Sequence, residues 1–127
     1  MRLRRRRSVV CQQLVEMVTE TAAGGEVDAQ AVPFGDVVAV QEFSKQFADE
    51  AMQTRLINLL DRTEIPDGKA MYGALVAVGC EAPPGVVVTI KDSGLTIEAQ
   101  PMPSPDKQCV APMTSVALVL VDEAIAG

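Results

Sequence analysis

The sequence contains no histidine and no tryptophan, and only one tyrosine and three phenylalanines. Histidine is the side chain most often used as a general base near neutral pH and as a zinc or haem ligand. Its absence excludes Ser-His-Asp and Cys-His catalysis and any His-ligated metal or haem. Also missing is any window approaching the ~18 apolar residues that a helix needs to cross a bilayer. No nucleophile elbow, P-loop or dinucleotide fingerprint occurs, so covalent catalysis would rest on Cys11, Ser and Thr hydroxyls, or Lys69, Lys91 and Lys107, with carboxylates as bases. None of these is framed by a motif. Three cysteines without histidine do not supply the closely spaced ligands of a metal site, and neither a metal nor a cofactor is expected.

What is present is enough for a core. The chain has 127 residues, of which 48% are hydrophobic and 22% charged, a balance that suits one folded domain and argues against wholesale disorder.

The net charge of −6 averages two unlike parts. Arg2, Arg4, Arg5, Arg6 and Arg7 place five of the eleven basic residues in an arm at positions 1–7, leaving 6 basic against 17 acidic residues, or −11, in the rest. An acidic body repels phosphate backbones, and the arm has no interleaved aromatics to stack on bases, so nucleic acid is not the expected partner. The arm also resembles the charged start of a signal peptide, which an apolar core should follow. Here Ser8-Val9-Val10 is broken at once by Cys11-Gln12-Gln13, and the residues before Cys11 fit a lipoprotein acylation site poorly. A solvated tail ahead of a helix is the simpler expectation.

Val10, Leu14, Met17 and Val18 recur at helical spacing and predict a short helix over Ser8–Glu20. Gly24-Gly25, Pro33 and Gly35 punctuate Thr21–Asp36 as a linker, with room for a short extended piece around Val32. From Val37 to Asp61 the stripe Val40, Phe43, Phe47, Ala51, Met52, Leu56, Leu59 and Leu60 predicts one long amphipathic helix, with Asp36 as its cap and Pro66-Asp67-Gly68 as its stop. Phe43, Phe47 and Met52 of that stripe read as core rather than as a ligand site.

Beyond Gly68, Met71–Val78, Val86–Lys91, Leu95–Ala99 and Ser115–Val121 read as strands. The second and third make a hairpin through Lys91-Asp92-Ser93-Gly94, with Gly94 available for a positive φ. The fully apolar run Val116–Val121 predicts a central strand covered on both faces, whereas Thr89 and Thr96 alternate with apolar neighbours, as in a hairpin wet on one side. The expected fold class is therefore α+β: one long helix packed on a curled antiparallel sheet of about four strands, preceded by a short N-terminal helix. In this reading residues 1–7 are the arm, 8–36 the short helix and linker, and 37–127 a single domain.

Cys80 ends the first predicted strand and Cys109 precedes the last. If those strands are neighbours, a bond between the two thiols would close a loop of roughly 30 residues and contribute on the order of 3 kcal/mol by loop-closure entropy. The alternative is two unrelated buried thiols. Asp61, Glu64 and Asp67 crowd a helix end, where a solvated turn is the simplest reading.

The strings Pro66-Asp67-Gly68, Tyr72 to Cys80, Pro83-Pro84-Gly85 and Cys109 to Val119 together resemble small exported or lipid-anchored proteins of high-GC Gram-positive bacteria. The resemblance spans about Phe43 to Asp122 and implies a Cys80–Cys109 pair and an envelope or secreted location. It brings no catalytic residues. The leading expectation is a non-enzymatic binding or structural module of the cell envelope that meets a protein or envelope component, a homo-oligomer included. Its contact surface is expected at the loops Glu81–Gly85 and Gln100–Pro112, whose Pro83, Pro84, Pro101, Pro103 and Pro105 lose little entropy on docking. The rival is a cytoplasmic adaptor whose arm, Arg4, Arg5, Arg6 and Arg7, binds nucleic acid or an acidic partner.

Overall fold

The structure, a computed structural model, describes residues 13–91, 94–101 and 109–123. Its framework is a four-stranded antiparallel sheet of β1 (Gln13–Thr21), β2 (Val32–Pro33), β3 (Lys69–Gly79) and β6 (Met113–Asp122), in the order β1-β6-β3-β2. The second sheet is the hairpin of β4 (Val86–Lys91) and β5 (Gly94–Ala99). Two helices, α1 (Val37–Phe43) and α2 (Ala51–Arg62), complete the fold.

The chain around β2 joins the two sheets. On one side Asp28 N donates to Leu75 O at 3.1 Å and Phe34 N to Met71 O at 2.8 Å. On the other, Ala31 N donates to Leu95 O at 2.9 Å, and Ala29 O accepts from Ile97 N at 2.8 Å. Successive backbone groups of an extended chain point to opposite sides, so residues 28–34 act as a strand between β3 and β5. Together with an isolated bridge between Gln30 and Thr96, these bonds link the two sheets along this stretch of chain. The extended piece expected around Val32 is thus a structural seam.

β6 is central in sequence character and in position. Val116, Leu118 and Leu120 face a core closed by Val40, Phe47, Met52, Leu56 and Leu59 from the helical side. Ala117, Val119 and Val121 face a second core closed by Val88, Leu95 and Ile97 from the hairpin. A strand buried on both faces needs apolar residues at every position, which the run Val116–Val121 supplies. Ala74, Ala77 and Ala117 line the hairpin side, where small side chains let the second layer approach. The predicted strands all form, and Gly94 closes the hairpin at φ +129°. Asp92 and Ser93 lie outside the described residues.

The expected fold class is corrected in two places. Among the described residues there is no long helix, and strand outweighs helix. After α1 comes a 3-10 turn, Ser44–Gln46, and Phe47 then adopts an extended conformation with ψ 154°. Ala48 N donates to Ala23 O at 2.8 Å instead of continuing the helix, and Asp49 Oδ1 accepts from Ala51 N at 2.9 Å to start α2. The apolar stripe is real, but two helices packed on one core present the same three- and four-residue recurrence as a single long one. Asp36 does cap α1, accepting from Ala39 N at 2.9 Å.

The N-terminal helix is also absent from the described residues: Gln13–Thr21 is β1, paired antiparallel with β6. Val15, Val18, Thr19 and Thr21 are β-branched and favour a pleated surface, and partner strand β6 supplies the ladder that a short helix cannot match. Helical spacing in so short a stretch lost to strand pairing.

Candidate functional site

β3 and β6 run antiparallel with Gly79 opposite Met113, which places the chain just after β3 beside the chain just before β6. Cys80 and Cys109 are joined there by a disulfide, with Cα atoms 5.5 Å apart. The bond ties the Glu81–Gly85 connection to the segment that leads into β6. Close by in sequence, Gln100 N donates to Gly85 O at 2.9 Å, so the hairpin's open end is closed by the residues that begin the proline-rich connection.

The sequence-derived loop residues divide. Pro83 is buried and serves packing, whereas Pro84 and Pro101 are exposed. Pro103 and Pro105 lie outside the described residues, as do Arg4, Arg5, Arg6, Arg7 and Cys11. Val78 and Val110, on the two stretches that flank the disulfide, are exposed as well, Val110 completely. The bond therefore sits among exposed apolar side chains with no charged partner between them in sequence from Val78 to Cys80 or from Cys109 to Pro112.

A second feature has no counterpart in the sequence reading. A groove of about 560 Å³ runs between residues 26–32 and the helical side, floored by Val32, Phe43 and Leu75 and rimmed by Glu26, Asp28 and Glu42. Gln46 fixes its wall: its Oε1 accepts from Glu26 N at 3.2 Å, and its Nε2 donates to Phe43 O at 3.0 Å. Lys45 partly neutralises the rim through a 3.0 Å ion pair with Glu42. Glu26 and Asp28 sit in what composition marks as a linker, so only its pairing with β3 and β5 reveals that it lines a groove.

Nothing among the described residues gathers three or more Cys, Asp or Glu side chains in reach of a metal. Asp61, Glu64 and Asp67 are all exposed along the end of α2 and the following turn, as a solvated turn requires. All three phenylalanines form one edge-to-face chain, Phe34 to Phe43 at 5.2 Å and Phe43 to Phe47 at 5.7 Å between ring centres. Phe34 and Phe47 are buried in the helical-side core and Phe43 packs against it, in line with the core reading of Phe43 and Phe47.

Comparison with known protein families, with curated proteins and with solved structures finds no match. No helix among the described residues is long and apolar enough to span a membrane.

Behind the groove wall, Ser44 is buried and its Oγ has no hydrogen-bond partner among the described residues. A buried hydroxyl without a partner costs its desolvation and returns nothing. Ser44→Ala is expected to raise stability by about 1 kcal/mol, combining that relief with alanine's better helical propensity. Chemical denaturation of the two proteins measures it; a loss of stability would show that the hydroxyl is satisfied.

Proposed function

We propose that this chain is a non-enzymatic binding or structural module of the cell envelope, stapled by Cys80–Cys109, that meets its partner through the loops flanking the bond. The observation that carries the reading is the disulfide itself. Such bonds persist in oxidising compartments and are rare where thiols are kept reduced. The resemblance to small exported or lipid-anchored proteins of high-GC Gram-positive bacteria points the same way. Pro84, Pro101 and Val110 offer a contact surface on chain already constrained by the bond, so docking there orders little.

The test is intact mass with thiol labelling, before and after reduction, on protein isolated from its native cells. Two protected cysteines and one labelled are expected. Three labelled thiols would remove the basis for an envelope location. Deleting Pro101–Pro105 then tests the surface: every partner interaction surviving that deletion would place the contact elsewhere.

A further inference from the structure

Two edge strands, β1 of the four-stranded sheet and β4 of the hairpin, are finished differently. β1 carries the marks of a protected edge: a register irregularity between Leu14 and Glu16, and cover from α2. Arg55 Nη1 donates to Thr19 O at 2.6 Å and pairs with Glu20 at 2.9 Å, while Arg62 lies 3.7 Å from Glu16. Bulges, charges and covering side chains are the means by which sheets avoid pairing with another chain.

β4 has neither bulge nor cover of that kind. Its one charge, Lys91, stands at the hairpin turn, Val86-Val87-Val88-Thr89-Ile90 holds no charge and no proline, and its pairing with β5 runs without a register shift. No strand among the described residues pairs with its outer side. The 2.9 Å bond from Gln100 N to Gly85 O fixes the alternation: Gly85, Val87, Thr89 and Lys91 direct their backbone groups to β5. Val86, Val88 and Ile90 therefore direct theirs outward.

We infer that β4 is a strand-pairing edge whose occupant is a second copy of this chain, added antiparallel about a two-fold axis at Val88. Three observations select a second copy. First, the edge is self-complementary. With Val88 opposite Val88 of the second copy, Val86 meets Ile90, Val87 meets Thr89 and Lys91 meets Gly85, so β-branched side chains face one another and no like charges do. Second, the outward backbone groups fall on Val86, Val88 and Ile90, the positions that this register sets opposite one another as hydrogen-bonded pairs. Third, charge permits this surface: two chains of net charge −6 repel one another, and Val86–Ala99 contains only Lys91, Asp92 and Glu98, so two copies meet here with little local repulsion. This goes beyond the proposed loop contact and is independent of it.

The inference is tested by sedimentation velocity over a concentration series, with Val87→Lys and Leu14→Lys as variants. Val87 is 48% exposed and Leu14 42%, so both substitutions spare the core, and circular dichroism checks that both variants fold. A concentration-dependent dimer is expected for the parent chain and for Leu14→Lys, tightening as salt screens the acidic bodies. Val87→Lys should weaken it at least tenfold. In the dimer, amide hydrogen exchange at Val86, Val88 and Ile90 should slow relative to dilute protein, with Val87 and Thr89 protected in both. A parent chain that stays monomeric at every concentration overturns the inference, including when a foreign extended peptide binds β4. So does a dimer that Val87→Lys leaves intact or that Leu14→Lys disrupts equally.

Discussion

Replacing Cys80 and Cys109 together by serine lowers the free energy of unfolding by about 3 kcal/mol, with the sheet still formed at low temperature. The bond closes a loop of 29 residues in sequence separation, which includes the whole β4–β5 hairpin and its connections. Most of its effect lies in the unfolded chain, whose freedom it restricts. In the native state the same ends are already held by the β3–β6 ladder, which runs from Lys69 opposite Asp122 to Gly79 opposite Met113. Far-UV circular dichroism of the double variant should therefore match the parent while its denaturation midpoint falls. A single Cys80→Ser or Cys109→Ser variant should lose at least as much, since one thiol is then left unpaired at the sheet's end. Denaturation of parent and variants under one set of conditions reads the difference. A loss below about 1 kcal/mol would mean that the reduced chain keeps its ends together when unfolded, contrary to the loop-closure account.

That bond was legible in the sequence because strand patterning and cysteine position agree. β3 and β6 are marked by β-branched and apolar runs, and the two thiols stand just outside them. The hairpin was equally legible, since a turn with glycine in the right place separates two alternating runs. The helical region was legible as a surface but not as a path. Val40 from α1, Met52, Leu56 and Leu59 from α2, and Phe47 from the extended residues between them reach one core, and the break depends on Ala23 O and the Asp49 side chain. Ala23 is distant in sequence and Asp49 is an ordinary polar residue, so no local pattern announces either. β1 was misread because Val10, Leu14, Met17 and Val18 satisfy a helical period over too few residues to outweigh an available partner strand. The groove escaped for a related reason. Its rim and floor come from a glycine- and proline-punctuated stretch, α1 and β3, and only tertiary pairing brings Glu26, Val32, Phe43 and Leu75 together.

The segment read as a linker also supplies the second large effect. Phe34 is fully buried, at 0% exposure, at the point where the seam leaves β3 for α1, and its ring meets Phe43 edge to face. The ring lies flat enough against the sheet that a Cβ built on Gly73 would stand 2.5 Å from Phe34 Cε2. Glycine at this strand position normally weakens a sheet, and here the aromatic ring fills the space its missing side chain leaves. Two substitutions follow from one contact. Phe34→Ala removes a buried ring and leaves a cavity between β3 and the helical side, at a cost of about 3–5 kcal/mol. Gly73→Val drives a branched side chain into the ring and should cost at least about 2 kcal/mol, since neither the seam nor β3 can shift without breaking the Phe34 N to Met71 O bond. The combination distinguishes this account from two unrelated losses. In the Phe34→Ala, Gly73→Val double variant, valine occupies part of the vacated space, so the total should fall well short of the sum of the single costs. Additive losses in that cycle would show that ring and glycine do not share the contact.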